Sequence, residues 1–207
     1  MPAPAALSAQ KREAILDSAR DTFGKHGYGR ASMSEITRVA GVSKATVYHH
    51  YRSKAELFGA FVERECGRML AQYFDAGSMP QAGTEQTLRL VGQGMVELLS
   101  SSVVLMIDRV VTSEAQVFPE LAEAFYAAGP QQAITRLADW LQAQTEAGEL
   151  AVDDAEFAAD QFFTLVQTGI YLRSRLGLWS SSPEAVAKVV DGSVAMFLAR
   201  YAVTTRR

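Results

Sequence analysis

Residues 43–54 read Ser-Lys-Ala-Thr-Val-Tyr-His-His-Tyr-Arg-Ser-Lys, a run in which cations and hydrogen-bond donors sit among small side chains. On a helix, Val47 and Tyr51 share one side at i, i+4, which leaves Lys44, Ala45, Thr46, Tyr48 and His49 on the other. Nothing in that outward set is arranged to break a bond. It is suited to lying against a polyanion. Lys and Thr reach base edges, Ala and the Thr methyl meet a thymine methyl, and small residues permit close approach to a major groove.

Other chemistries find less support. His49 and His50 are neighbours, so on a helix they point about 100° apart and cannot easily chelate one ion. No cysteine or acidic cluster with ligand spacing accompanies them. Cys66 is the only cysteine, so no internal disulfide forms; it reads as filler on an apolar-periodic helix, with a redox sensor as the alternative. No Gly-rich phosphate loop and no G-x-S-x-G elbow is present. The three histidines, 26, 49 and 50, all fall in the first quarter of the chain, leaving the rest without one for acid–base work. No enzyme activity, cofactor or metal is expected.

A reading surface needs elements to hold it. Apolar residues recur at three- and four-residue spacing almost throughout, and no stretch alternates with period 2. The spacing predicts helices over 8–26, 33–40, 44–50, 54–75, 84–100, 103–116, 119–128, 130–147, 154–175 and 183–202. Ser8, Ser43, Ser53 and Thr84 stand where N-caps belong, and Pro183 stands in a first turn. Between the second and third helices lies Gly41-Val42-Ser43. Gly41 supplies the positive φ that closes one helix, Val42 plugs the angle, and Ser43 caps the next. This is a helix-turn-helix. Met33, Ile36 and Ala40 form its inner side, over a stripe of Ile15, Leu16, Ala19 and Phe23.

Charge is distributed to match. Residues 1–58 carry nine Lys/Arg against five Asp/Glu, whereas the remainder carries eleven against eighteen. A basic head on an acidic body suits a polyanionic partner at one end. Lys11 and Arg12 follow a Pro/Ala-rich start, expected as a flexible arm over 1–7, from which they could add backbone or minor-groove contacts. No run approaches the roughly 18 apolar residues of a membrane span. The start lacks the charged n-region of a signal peptide, so a cytoplasmic location is expected.

The run Arg12, Ile15-Leu16, Ala19, Phe23, Gly27-Tyr28, Ser32-Met33, Ile36, Ala40-Gly41-Val42-Ser43-Lys44, Thr46-Val47-Tyr48-His49-His50-Tyr51, Lys54 and Leu57-Phe58 resembles the DNA-binding signature of the tetracycline-repressor (TetR) family. It departs at Thr37, where the family usually has alanine, and at Tyr51, where phenylalanine is commoner. The Thr37 hydroxyl is expected to bond back to a carbonyl of its own helix. The resemblance implies that Ser32, Tyr48, His49 and Lys54 hold phosphates while Lys44, Ala45 and Thr46 face bases. The later run Glu114-Ala115, Phe118-Pro119-Glu120-Leu121, Phe125-Tyr126 and Gly129-Pro130 is similar to the AefR-like subgroup.

The expected fold is therefore all-α. A three-helix DNA-binding domain, 1–58, precedes a larger helical effector-binding and dimerisation domain, 59–207. One helix-turn-helix reads one half-site, so a homodimer on two-fold symmetric operator DNA is expected. Interface candidates are Phe157, Gln161, Leu165, Thr168 and Leu172 on one helix and Val186, Val190, Val194, Phe197 and Tyr201 on the last. The alternative for both stripes is a thick monomer core. A sensing pocket for a small hydrophobic or aromatic effector draws on Tyr73, Met95, Met106, Arg109, Phe125, Trp140, Phe163, Gln167 and Tyr171. Ordinary core packing is the alternative for each. The expected function is a ligand-released repressor. The second hypothesis is a DNA-binding regulator or architectural factor without a small effector, controlled by a protein partner.

Overall fold

The computed structural model describes residues 4–74, 83–179 and 181–203. Eleven helices are found among them: α1 (Pro4–Arg30), α2 (Met33–Ala40), α3 (Lys44–His50), α4 (Lys54–Phe74), α5 (Thr84–Ser100), α6 (Ser102–Glu114), α7 (Pro119–Ala128), α8 (Pro130–Glu146), α9 (Ala155–Val166), α10 (Tyr171–Arg175) and α11 (Pro183–Tyr201). No strand occurs among the described residues, and one isolated bridge joins Leu150 to Ala202. No single helix among them is long and apolar enough to cross a membrane.

Four expectations about the helices need correction. Ser8 lies within α1 rather than at its cap, and Thr84 is the first residue of α5, with Gly83 at the cap position. α1 starts at Pro4, so residues 4–7 of the expected arm are helical, while 1–3 lie outside the described residues. The helix expected over 154–175 is two helices. After Val166 the chain tightens into i→i−3 bonds, Thr168 N–H to Leu165 O and Ile170 N–H to Gln167 O, and Gly169 turns left-handed at φ 72°. Apolar residues continue at helical spacing through the break, so periodicity alone hides it.

By packing, the chain divides into two compact units. The first joins the residues up to Glu65 with Met106–Gly129, and the second joins Cys66–Leu105 with residues from Pro130 onward. The segment 106–129, placed in the effector half by a division at residue 58, thus packs with the head.

The first unit is organised by an aromatic core. Phe23, Phe58, Phe61 and Tyr28 are almost wholly buried. Phe23 and Phe58 meet edge to face at 5.1 Å, and Tyr28 meets Phe58 at 5.8 Å and Phe118 at 5.4 Å. Such contacts are worth about 0.5–1.5 kcal/mol each beyond the area that they bury. Ile15, Leu16 and Ala19 of α1 complete the floor, as their spacing predicts. Arg64 of α4 reaches Asp17 at 2.9 Å and Glu13 at 3.3 Å, tying α4 to α1 by charge.

In the second unit α5 packs on α11 and α8 on α9. Its core holds Leu88, Val91, Leu137, Leu141, Phe162, Val166, Val190, Val194 and Phe197. Phe162 and Phe197 meet edge to face at 5.3 Å.

Candidate nucleic-acid interface

The turn between α2 and α3 is built as its residue types require. Gly41 adopts φ 64°, ψ 27°, and the Gly41 N–H returns to Arg38 O. A side chain there would cost about 1 kcal/mol or more, because Cβ crowds the following carbonyl. Ser32 accepts the Glu35 N–H at 3.1 Å, and Ser43 accepts the Thr46 N–H at 3.1 Å. Each serine thus satisfies a backbone donor that the first helical turn leaves free. Thr37 is buried and its hydroxyl donates to Met33 O at 2.6 Å, as expected for the one unusual residue on α2.

Val47 is fully buried and Tyr51 nearly so, which pins one side of α3 to the unit. The opposite side is open. Lys44, Ala45, Tyr48 and His49 are exposed and Thr46 half-exposed. The Lys44 ammonium stands 5.8 Å from the centre of the Tyr48 ring, within range of a weak cation–π contact. The His49 and His50 rings meet edge to face at 5.3 Å. Ser43 and Thr46 hydroxyls are also bonded to each other at 2.8 Å. The result is a short, exposed helix with donors and small side chains outward, seated on an apolar base. Ser32 lies exposed at the start of α2 and Lys11 and Arg12 on the early part of α1. The Arg12 Nε donates to the Tyr51 hydroxyl at 3.4 Å.

Lys54 is placed differently from its expected phosphate role. Its ammonium donates to the carbonyls of Tyr28 at 2.7 Å, Ala31 at 3.2 Å and Gly29 at 3.4 Å. It also stands 4.2 Å from the Tyr28 ring centre. Burial lowers its pKa from the ordinary lysine value, opposed by the charges of Glu114 and Glu120. All three donors of the ammonium are directed inward, at the end of α1. The same burial, with the charge and hydrogen bond of Glu120, pushes the Tyr28 phenol up to about 12.

Residues without a signal of their own in sequence complete this corner. Glu114, at the end of α6, accepts the N–H of Tyr28 at 2.8 Å and of Gly29 at 2.5 Å. It belongs to the stretch that resembles the AefR-like subgroup, but no spacing rule marks it as a partner of residues 85 positions away.

The nine sensing candidates are divided between the units. Met106, Arg109 and Phe125 belong to the first, and Met95, Trp140, Phe163, Gln167 and Tyr171 to the second. The side chain of Tyr73 lies outside the described residues. Arg109 opens on a 450 Å³ cleft with Lys25, His26 and Arg30 at the end of α1. Met95 and Phe163 are buried, whereas Trp140, Gln167 and Tyr171 are half-buried.

The interface candidates divide by burial. On α9, Phe157 is 58% exposed, Gln161 is exposed and Leu165 half-buried; Thr168 and Leu172 beyond the break are exposed. On α11 the expectation needs correction. Val190, Val194, Phe197 and Tyr201 are buried in the unit's own core, and Val186 is half-buried. The single apolar stripe of α11 faces α5 and α9, and the core uses it. The open side of α11 carries Met196, 63% exposed, and Arg200. Between α9 and α11 these residues line a 430 Å³ groove with Phe157, Asp160, Gln161 and Leu165. The Tyr201 hydroxyl donates to Gln161 at 2.6 Å along its edge.

A family model described as "AefR-like transcriptional repressor, C-terminal domain" matches residues 86–203, and one described as "Bacterial regulatory proteins, tetR family" matches residues 15–61. The HTH-type transcriptional repressor Rv1474c of Mycobacterium tuberculosis is 37% identical over 65 residues, which is 31% of this chain and 34% of that protein. The chain therefore aligns with about a third of that curated relative's length. Among solved structures, the flavonoid-responsive regulator FrrA is 29% identical, with a TM-score of 0.80, over 95% of this chain and 100% of that one. A putative TetR-family transcriptional regulator from Mesorhizobium loti is 27% identical, with a TM-score of 0.78, over 95% of this chain and 98% of that one.

Proposed function

Because the chain belongs to the TetR family of bacterial regulators, in its AefR-like branch, we propose that it is a DNA-binding transcriptional repressor that leaves its operator when a small, largely apolar molecule binds. The family is one of transcriptional regulators, not of enzymes. The observation that carries the DNA-binding part is the outward face of α3. Lys44, Ala45, Tyr48 and His49 are exposed on a capped helix whose other side is anchored by Val47 and Tyr51. Lys44, Ala45 and Thr46 face bases, and Ser32, Tyr48 and His49 hold phosphates. Lys11 and Arg12 add contacts from α1. Lys54, with its ammonium on the α1 carbonyls, holds the head together. A DNA partner makes the cytoplasm the site of action.

The working form is a homodimer that joins two half-sites. The exposed apolar residues of the α9–α11 groove, Phe157 and Met196 above all, support that pairing. The effector belongs to the hydrophobic or aromatic class. Met95, Trp140, Phe163, Gln167 and Tyr171 in the second unit offer soft and flat apolar contacts with one amide to orient a polar group. The name of the 29% identical flavonoid-responsive regulator supports an aromatic molecule. Release follows from unequal affinity for two arrangements of the heads.

The test is selection of duplexes from a random pool by the purified protein. Enrichment of an inverted repeat with half-sites about 34 Å apart, or a multiple of that, is the expected result. Failure to enrich any sequence at low salt overturns the reading.

A further inference from the structure

We infer that Glu114 is a positioning residue for DNA binding: its carboxylate grips the end of α1 and so fixes where Ser32 and α2 stand for the phosphates. This rests on the DNA-binding reading above.

The corner is built around two glycines. Gly27 bends the chain at φ 75°, ψ −179°, which interrupts the helical path of α1. A Cβ at Gly27 would collide with Glu114 Oε1, and one at Gly29 would lie 2.9 Å from Glu114 Oε2 and 2.9 Å from Phe118. The carboxylate therefore occupies space that side chains at these positions would take. There it accepts the N–H groups of Tyr28 and Gly29, both freed from helical partners by the bend. The carbonyls of the same stretch, Tyr28, Gly29 and Ala31, are taken by Lys54. An anion on the N–H side and a cation on the carbonyl side hold the main chain of residues 28–31 between them, through five backbone groups. Phe118 closes the corner, 5.4 Å from the Tyr28 ring.

What this corner delivers is the start of α2. Ser32 follows Ala31 directly, and its hydroxyl and the first turn of α2 are set by the path of the gripped chain. Glu114 ends α6, a helix that begins in the second compact unit and finishes in the first. Within the first unit, α6 also meets α1 at Met106, beside Gly24, and at Val110, so the Glu114 grip is the last of these contacts along the helix. The acceptor must be a carboxylate. An amide of equal size would present an NH₂ donor to one of two N–H groups.

The experiment compares wild type, Glu114→Gln and Tyr48→Ala, with hydrogen exchange at the Tyr28 and Gly29 amides and affinity for the duplex that wild type selects. Glu114→Gln is expected to speed exchange at both amides and to weaken operator binding about ten-fold. Tyr48→Ala is expected to weaken binding and leave both amides protected. Unchanged affinity in Glu114→Gln overturns the inference even if exchange rises, because the bonds then only stabilise. Slow exchange together with weakened binding overturns it too, since the loss arises elsewhere. If Glu114→Gln does not fold, Gly29→Ala displaces the carboxylate by a methyl and carries the same expectations. If wild type selects no duplex, the DNA-binding reading fails and this role falls with it, while the exchange arm still reads the corner. If Tyr48→Ala weakens binding and Glu114→Gln does not, only this inference fails.

Discussion

At the residue scale, charge and hydrogen bonding decide which side chains are free to meet DNA. Lys44 and Lys54 are both lysines within the signature, but only Lys44 is exposed; Lys54 is half-buried and bonded to three carbonyls. Lys44→Ala is therefore expected to relax base preference, read as a loss of information at one or two positions of each half-site in duplex selection. Tyr48→Ala removes the proposed phosphate contact and is expected to weaken binding to every duplex alike, by about ten-fold. A Tyr48→Ala protein with wild-type affinity in an anisotropy titration counts against that role. A third outcome concerns pH. Tyr28 has its pKa raised from 10.0 to about 12 by burial and by Glu120. The fold thus favours the protonated phenol, and that contribution is intact below pH 10 and lost as pH rises towards 12. The melting temperature is expected to fall across that window, and Tyr28→Phe to flatten the slope.

At the element scale, local rules explain most of the helix-turn-helix. Ser43→Ala removes the α3 cap and is expected to cost about 1 kcal/mol, seen as a lower midpoint in denaturant with an unchanged m-value. Gly41, Ser43, Val47 and Thr37 were legible because each obeys a rule confined to a few neighbours: a left-handed stop, a hydroxyl cap, an i, i+4 anchor, a back-bond. The expectations that failed needed longer-range knowledge. Whether the α11 stripe of Val190, Val194, Phe197 and Tyr201 faces a core or a partner depends on what α5 and α9 bring to it, and periodicity is the same either way. The break at Gly169 was concealed because Leu172 kept the apolar spacing on the far side. Glu114 was invisible for a related reason. Its partners are backbone amides of Tyr28 and Gly29, which every sequence possesses, so no residue type announces the contact.

At the scale of the whole molecule, the proposed dimer brings two heads to the operator, and the second copy needs a surface to pair on. Phe157 is exposed on α9 and contributes little to the unit's own core. Phe157→Glu is expected to leave the helical fold intact and to yield a monomer in light scattering. A monomer holds one half-site, so operator affinity is expected to fall by a hundred-fold or more, the usual scale of lost bivalency, ~10²–10⁴. A Phe157→Glu protein that stays dimeric places the interface elsewhere. The excess of nine Lys/Arg over five Asp/Glu lies in residues 1–58, around α3, and is expected to draw a duplex to that side of the first unit.

The outward face of α3 is probed most directly by a photo-cross-linking side chain at Ala45, which is exposed. With the selected duplex, the account predicts cross-links to bases within the half-site from position 45 and none from the same group at Thr135 on α8. Cross-links from Thr135 with none from position 45 would contradict it.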